Sequence, residues 1–243
     1  MKLYVYPNDN LASLKAYEIV KKALLNKKNS LLGLATGSTP LKLYDLMIKD
    51  YKKGIISYKE VKTYNVDEYI GLEESHDQSY RQFMNCNLFN HIDINIKNIY
   101  FPKGVGNINK NIKEYDKTLE SLGAADIQIL GIGSNGHIAF NEPGTSFDLK
   151  THVTNLSPST IKDNSRFFLR RDQVPTSAIT MGIKSILKAK KIILLAFGEN
   201  KSNAIKKLLE EEVTEDFPAS ALKDHPDVII ICDSDAAKKI KYN

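Results

Sequence analysis

The chain has 243 residues, 42% of them hydrophobic and 26% charged, the proportions of an ordinary globular protein long enough to bury a core without disulfides or metal clips. Lys and Arg number 34 against 29 Asp and Glu, and the surplus of +5 is spread along the chain instead of gathered into the basic block of a nucleic-acid arm. These figures exclude a disordered tail, a fibre and a disulfide-stapled mini-domain, and they suit an anionic small substrate at least as well as a polynucleotide.

Residues 3–6 read as a first strand, and Ala12, Ala16, Ile19, Val20, Ala23 and Leu24 recur at helical spacing after it. An apolar strand at 31–35 runs into Thr36-Gly37-Ser38-Thr39-Pro40 and a helix with Leu43, Leu46 and Met47 on one face. Gly37 permits backbone angles that other residues resist, Ser38 and Thr39 are candidate caps, and Pro40 fits a first helical turn. Such a helix start presents free N–H groups to a phosphate. The same pattern equally fits an ordinary capped helix, and it is not a GxxxxGK[ST] loop. A strand at 61–66 then meets the adjacent acids Asp67 and Glu68, of which Asp67 stands nearer the strand tip. A carboxylate there is a candidate general base, the alternative being a solvated turn acid.

Residues 79–89 are predicted helical, with Tyr80, Phe83 and Phe89 assigned to the core. A short strand at 99–101 and a helix marked by Ile108, Ile112, Tyr115, Leu119 and Leu122 follow. The strand at 126–130 leads into Gly131-Ile132-Gly133-Ser134-Asn135-Gly136-His137, a literal GxGxxG. The helix and the acid about 20 residues on that a dinucleotide fold requires are missing: Thr151 stands near that place. The glycines instead suit close approach of backbone to a small ligand, with His137 and Glu142 supplying proton transfer. Residues 141–172 are the least regular and read as a lid. A strand at 178–181, a strand at 192–197, a helix carrying Ala204, Ile205, Leu208 and Leu209, a strand at 228–232 and a short helix at 235–241 complete the series. Arg166, one of four arginines, and Lys201, at the start of the helix after 192–197, are candidate phosphate ligands.

Strands apolar on both faces alternating with helices predict an α/β fold, an open and mostly parallel sheet with helices on both faces, as one domain over 1–243 with a lid at about 157–184. The five histidines show no HxxxH or HExxH spacing, so no metal is expected. Only Cys86 and Cys232 are present, without CxxC spacing, which fits reduced thiols in a cytoplasmic protein. No signal-peptide core is visible, and no apolar run approaches the roughly 20 residues of a membrane span.

Four stretches carry a resemblance: 32–40, 65–72, Gly136-His137-Ile138-Ala139-Phe140-Asn141-Glu142-Pro143-Gly144, and Asn164-Ser165-Arg166-Phe167-Phe168. In this order they resemble the glucosamine-6-phosphate deaminases. The related 6-phosphogluconolactonases share the Gly-His element without the Phe-Asn-Glu-Pro continuation. The resemblance implies a Rossmann-like α/β fold and conversion of glucosamine 6-phosphate and water to fructose 6-phosphate and ammonia, without cofactor, metal, nucleic acid or membrane. It assigns ring opening to His137 supported by Glu142, the C2 proton to Asp67, and phosphate to Gly37, Ser38, Thr39, Arg166 and Lys201. Many members carry Asp where this chain has Asn135, which cannot ionise but can orient His137. The resemblance also implies a monomer or small homo-oligomer with hyperbolic kinetics, since His152 and Thr154 stand where allosteric members hold cations. Rival readings are a lactonase-like sugar-phosphate hydrolase, for which Asp67 would be dispensable, and a non-catalytic sugar-phosphate sensor, which normally carries a DNA-reading domain for which this chain leaves no room.

Overall fold

The computed structural model describes residues 1–165, 168, 170 and 173–240. Strand β1 (Lys2–Tyr6) is followed by α1 (Asp9–Asn26), which starts where the Asn8 side chain accepts the Leu11 N–H at 3.0 Å. Ala12, Ala16, Val20 and Leu24 form its buried stripe, as their four-residue spacing dictates. Then come β2 (Leu31–Leu34), α2 (Leu41–Lys52), β3 (Lys62–Asn65), β4 (Asp67–Tyr69), α3 (Tyr80–Asn87), β5 (Ile99–Tyr100), α4 (Ile108–Leu122) and β6 (Ile127–Gly131). The second half holds β7 (His152–Asn155), α5 (Pro158–Asn164), β8 (Ser177–Thr180), α6 (Ile183–Ile186), β9 (Ile192–Ala196), α7 (Ser202–Glu210) and β10 (Val228–Asp233).

Seven strands form one sheet in the order β1-β10-β9-β6-β2-β3-β5, and each neighbouring pair is parallel. Val228, Ile230 and Cys232 face one core cluster and Ile229 and Ile231 the other, so β10 is apolar at every position up to its last residue, Asp233. From β2 the chain winds outward through β3 to β5, returns to β6 on the other side of β2, and continues to β9 and β10. The carboxyl ends of β2 and β6 therefore flank a topological switch point, where open α/β sheets leave a crevice.

Four features differ from the sequence expectations. The strand at 61–66 ends at Asn65, and Asp67 opens β4, which belongs to a second, antiparallel sheet ordered β4-β8-β7. Ser38 and Thr39 do not cap α2, whose N-cap is Pro40 without a side-chain hydrogen bond. The irregular stretch at 141–172 contains β7 and α5, the latter capped by Ser157, whose hydroxyl accepts the Thr160 N–H at 3.2 Å. Residues 234–239 form turns, not a helix: Asp233 draws the chain round by accepting the Ala236 N–H at 2.8 Å.

Candidate active site

A cavity of about 550 Å³ lies at the switch point, within the range of small-molecule sites. Thr36, Gly37, Ser38 and Thr39 line it after β2, Asp67 after β3, Gly131, Gly133 and His137 after β6, and Asn200 and Lys201 after β9. The predicted residues Asp67, His137, Gly37, Ser38, Thr39 and Lys201 thus converge on one space. Asn135 and Glu142 stand behind His137, in contact with its imidazole Nδ1 side. Arg166 lies outside the described residues.

Gly37 takes φ +88°, in the left-handed region that glycine alone enters without strain, and turns β2 into the approach to α2. Uncapped by a side chain, the N-terminus of α2 leaves N–H groups at its positive end beside Lys201. Lys201 itself is set by a turn in which Asp233, at the end of β10, accepts the Gly198 N–H with both carboxylate oxygens at 3.0 Å.

His137 lies against the backbone of Gly133, where a Cβ would stand 2.3 Å from the imidazole Nδ1. The second glycine of the GxGxxG string therefore makes room for the His137 ring, not for a pyrophosphate. Glu142 is a carboxylate that can only accept, and Asn135 Nδ2 donates to its Oε2 at 2.7 Å. That fixes the amide so that Asn135 Oδ1 faces the imidazole Nδ1 at 2.7 Å. An oxygen there requires a proton on Nδ1, which leaves Nε2 as the basic nitrogen of neutral His137. Glu142 Oε2 lies 3.7 Å from Nδ1, close enough to stabilise an imidazolium.

Glu142 is 8% exposed. Burial alone would push its carboxyl up, but the Thr160 hydroxyl, His137, the Asn135 amide and the Ser157 N–H together hold it below the usual carboxylate range. The Thr160 hydroxyl is the shortest of these donors, at 2.6 Å from Oε1. The turn bearing Glu142 is pinned to β8 by Thr180, whose hydroxyl accepts the Phe140 N–H at 3.0 Å, and by Asn141 Nδ2, which donates to the carbonyls of Ile138 and Met181 at 3.0 Å.

Asp67 is 5% exposed, and its carboxyl has no hydrogen-bond partner among the described residues. Burial and then the neighbouring Glu68 raise it well above the ordinary range, which makes its anion a stronger base. Thr160, Tyr80 and Lys162 are among the cavity residues that escaped the sequence reading. Thr160 gives no local signal for its bond to Glu142, although Ser157-Pro158 is a legible helix start. Tyr80, assigned to the core, lines the cavity, because its helical spacing is the same whether a helix faces core or cleft.

Comparison with known proteins agrees with this geometry. Residues 10–230 match the family of glucosamine-6-phosphate isomerases/6-phosphogluconolactonase. The glucosamine-6-phosphate deaminase of Thermoanaerobacter pseudethanolicus is 50% identical over 241 residues, covering 99% of this chain and 95% of the relative. That of Clostridium novyi is 48% identical over 99% of this chain and 100% of the relative. A solved monomeric glucosamine-6-phosphate deaminase superposes with a TM-score of 0.96 at 42% identity, covering 98% of this chain and 99% of that one. The 6-phosphogluconolactonase of Trypanosoma brucei superposes at 0.82 with 17% identity, a likeness of fold alone. The chain belongs to the glucosamine-6-phosphate isomerase/6-phosphogluconolactonase family.

Proposed function

We propose that the protein converts glucosamine 6-phosphate and water to fructose 6-phosphate and ammonia. The observation that carries this reading is the pairing, across one cavity, of a buried carboxylate on β4, without a hydrogen-bond partner among the described residues, with a tautomer-fixed imidazole after β6. A lactonase needs no base that reaches a sugar carbon, so Asp67 favours the deaminase over the hydrolase.

The phosphate lies against Ser38, Thr39 and Lys201, with Arg166 as a further ligand. His137 Nε2 takes the proton of the C1 hydroxyl and delivers it to the ring oxygen, while Glu142 stabilises the transient imidazolium. Ring opening creates an aldehyde that acidifies the C2 hydrogen. Asp67 takes that proton, O1 gains one from the substrate's own 2-ammonium group relayed through His137 Nε2, and the electron pair becomes the C1–C2 double bond of an enolamine. Asp67 then returns the proton to C1, which leaves a C2 iminium. Water adds at C2 and ammonia departs. One carboxylate serves both carbons because they are adjacent.

The segment at about 157–184 forms the lid, anchored at its far end by β8, with α5 touching Glu142. The chain acts as one domain over 1–243, in the cytoplasm, as a monomer or small homo-oligomer that takes a sugar phosphate and no nucleic acid. The test is incubation with glucosamine 6-phosphate and, separately, 6-phosphogluconolactone. Ammonia and fructose 6-phosphate in equal amounts from the first support the reading, and hydrolysis of the second alone overturns it.

A further inference from the structure

Glu68 is a buried carboxylate with no part in the mechanism above. It is 2% exposed and follows Asp67 directly in β4. Oε1 accepts the backbone N–H of Tyr69 and of Tyr80, and Oε2 that of Arg81, each at 2.9 Å. Tyr80 and Arg81 are the first two residues of α3, and the Ser79 hydroxyl takes the next N–H, that of Gln82, at 3.0 Å. The carboxylate thus seals the positive end of α3 and ties it to the strand that carries Asp67.

A helix needs no buried acid for its cap, since Ser79 already supplies a side-chain oxygen. Burial pushes the Glu68 carboxyl up to about 7 in spite of its three N–H donors, with Glu74 adding repulsion and Asp67 standing alongside. What the clamp fixes is Tyr80. Its ring packs 4.7 Å from that of Tyr69 and stacks on Phe140 at 5.9 Å and 17°, and its hydroxyl lies 3.3 Å from that of Tyr69, within the field of Asp67. One short strand therefore holds both the proposed base and the grip on the phenol that shares its cavity wall.

We propose that Glu68 is a positioning residue for proton transfer at Asp67: by gripping the first two amides of α3 it holds the Tyr80 phenol in place beside the base. The inference rests on the deaminase reading for its reaction, while the clamp itself does not. Steady-state kinetics of Glu68→Gln, Tyr80→Phe and the double variant test it, with Glu68→Asp, which keeps the charge and shortens the reach, replacing Glu68→Gln should that fail to fold. Each single variant is expected to lose about tenfold in kcat with KM within about twofold, and the double variant to fall no more than about twofold below the worse single, since residues acting through one another are not additive. Multiplying losses, or a loss confined to KM, would overturn the proposal. Amide hydrogen exchange over 79–83 reads the clamp without turnover. Faster exchange there in Glu68→Gln, with the rest of the chain unchanged, upholds it even if the wild type releases no ammonia, and unchanged exchange overturns it.

Discussion

Replacing Thr160 by Val removes one hydroxyl and keeps the branched shape of a side chain that is 4% exposed. In the native protein the hydroxyl hydrogen goes to Glu142 Oε1 at 2.6 Å, and the Ser157 hydroxyl, 2.9 Å away, donates to the Thr160 oxygen in turn. A hydrogen bond to a charged group is worth about 1.5–3 kcal/mol. At about 1.4 kcal/mol per factor of ten, its loss corresponds to roughly 10- to 100-fold in any step that needs ionised Glu142. The sign follows from the same bond. Thr160 stabilises the anion, so its removal makes Glu142 easier to protonate, and the acidic limb of kcat/KM moves to higher pH. The assay is ammonia release as a function of pH, with the melting temperature measured alongside. Thr160→Ser restores the donor and is expected to recover most of the rate. An unshifted acidic limb in Thr160→Val would show that Thr160 merely packs and that α5 does not tune Glu142.

Asp67→Asn is expected to cost about 10²–10⁴-fold in turnover, read in the same assay. It is also expected to stabilise the fold increasingly above about pH 4. Asp67 is raised in the folded state, so the native chain holds a proton the unfolded chain has lost, and wild-type stability falls as pH rises through that interval. Equal melting temperatures of variant and wild type at pH 8 would contradict the burial argument. His137→Gln is expected to slow the cyclic substrate more than an open-chain analogue, and equal slowing would place His137 after ring opening. Lys201→Ala and Arg166→Ala are each expected to weaken glucosamine 6-phosphate about 10- to 100-fold while sparing unphosphorylated glucosamine. Calorimetry with both ligands checks this, and parallel losses would mean that these cations hold the protein instead of the phosphate.

The sheet was legible wherever burial on both faces left no polar positions, as in β9 and in β10 from Val228 to Cys232, and α1 was legible from its four-residue stripe. The break at Val66 was not. β4 has three residues and exists because Asp67, Glu68 and Tyr69 pair with Thr180, Ile179 and Ala178, more than a hundred positions later. Long-range pairing of so short a strand leaves no periodicity to read. Within the site, the strand-tip positions of Asp67 and His137 follow from local sequence, because chemistry collects where parallel strands end. The partners that tune them do not, since Thr160 reaches Glu142 across 18 residues and Asp233 reaches Gly198 across 35. Asn135 is intermediate. Its proximity to His137 is visible in sequence, but its orientation follows only once Glu142 is seen to occupy its other side.

The two proposed acid–base groups come from different segments, Asp67 just past the end of β3 and Glu142 in the loop after β6, and their surroundings push them in opposite directions. Asp67 sits in a wall whose described residues offer its carboxyl no donor, and it is raised; Glu142 collects the Thr160 hydroxyl, the Asn135 amide and the Ser157 N–H and is lowered. That separation lets one cavity hold a strong base for a carbon acid and a permanent anion beneath an imidazole. Neither property belongs to the seven-stranded sheet, which the trypanosomal lactonase shares at 17% identity. They belong to what covers the strand ends: β4, which removes Asp67 from water, and the first turn of α5, which brings donors to Glu142. A chain with the same sheet that offered two N–H groups to the position of Asp67 would still bind a sugar phosphate. Its carboxylate would be too weak a base to take the C2 proton, so loss of the isomerase activity requires no change in the fold.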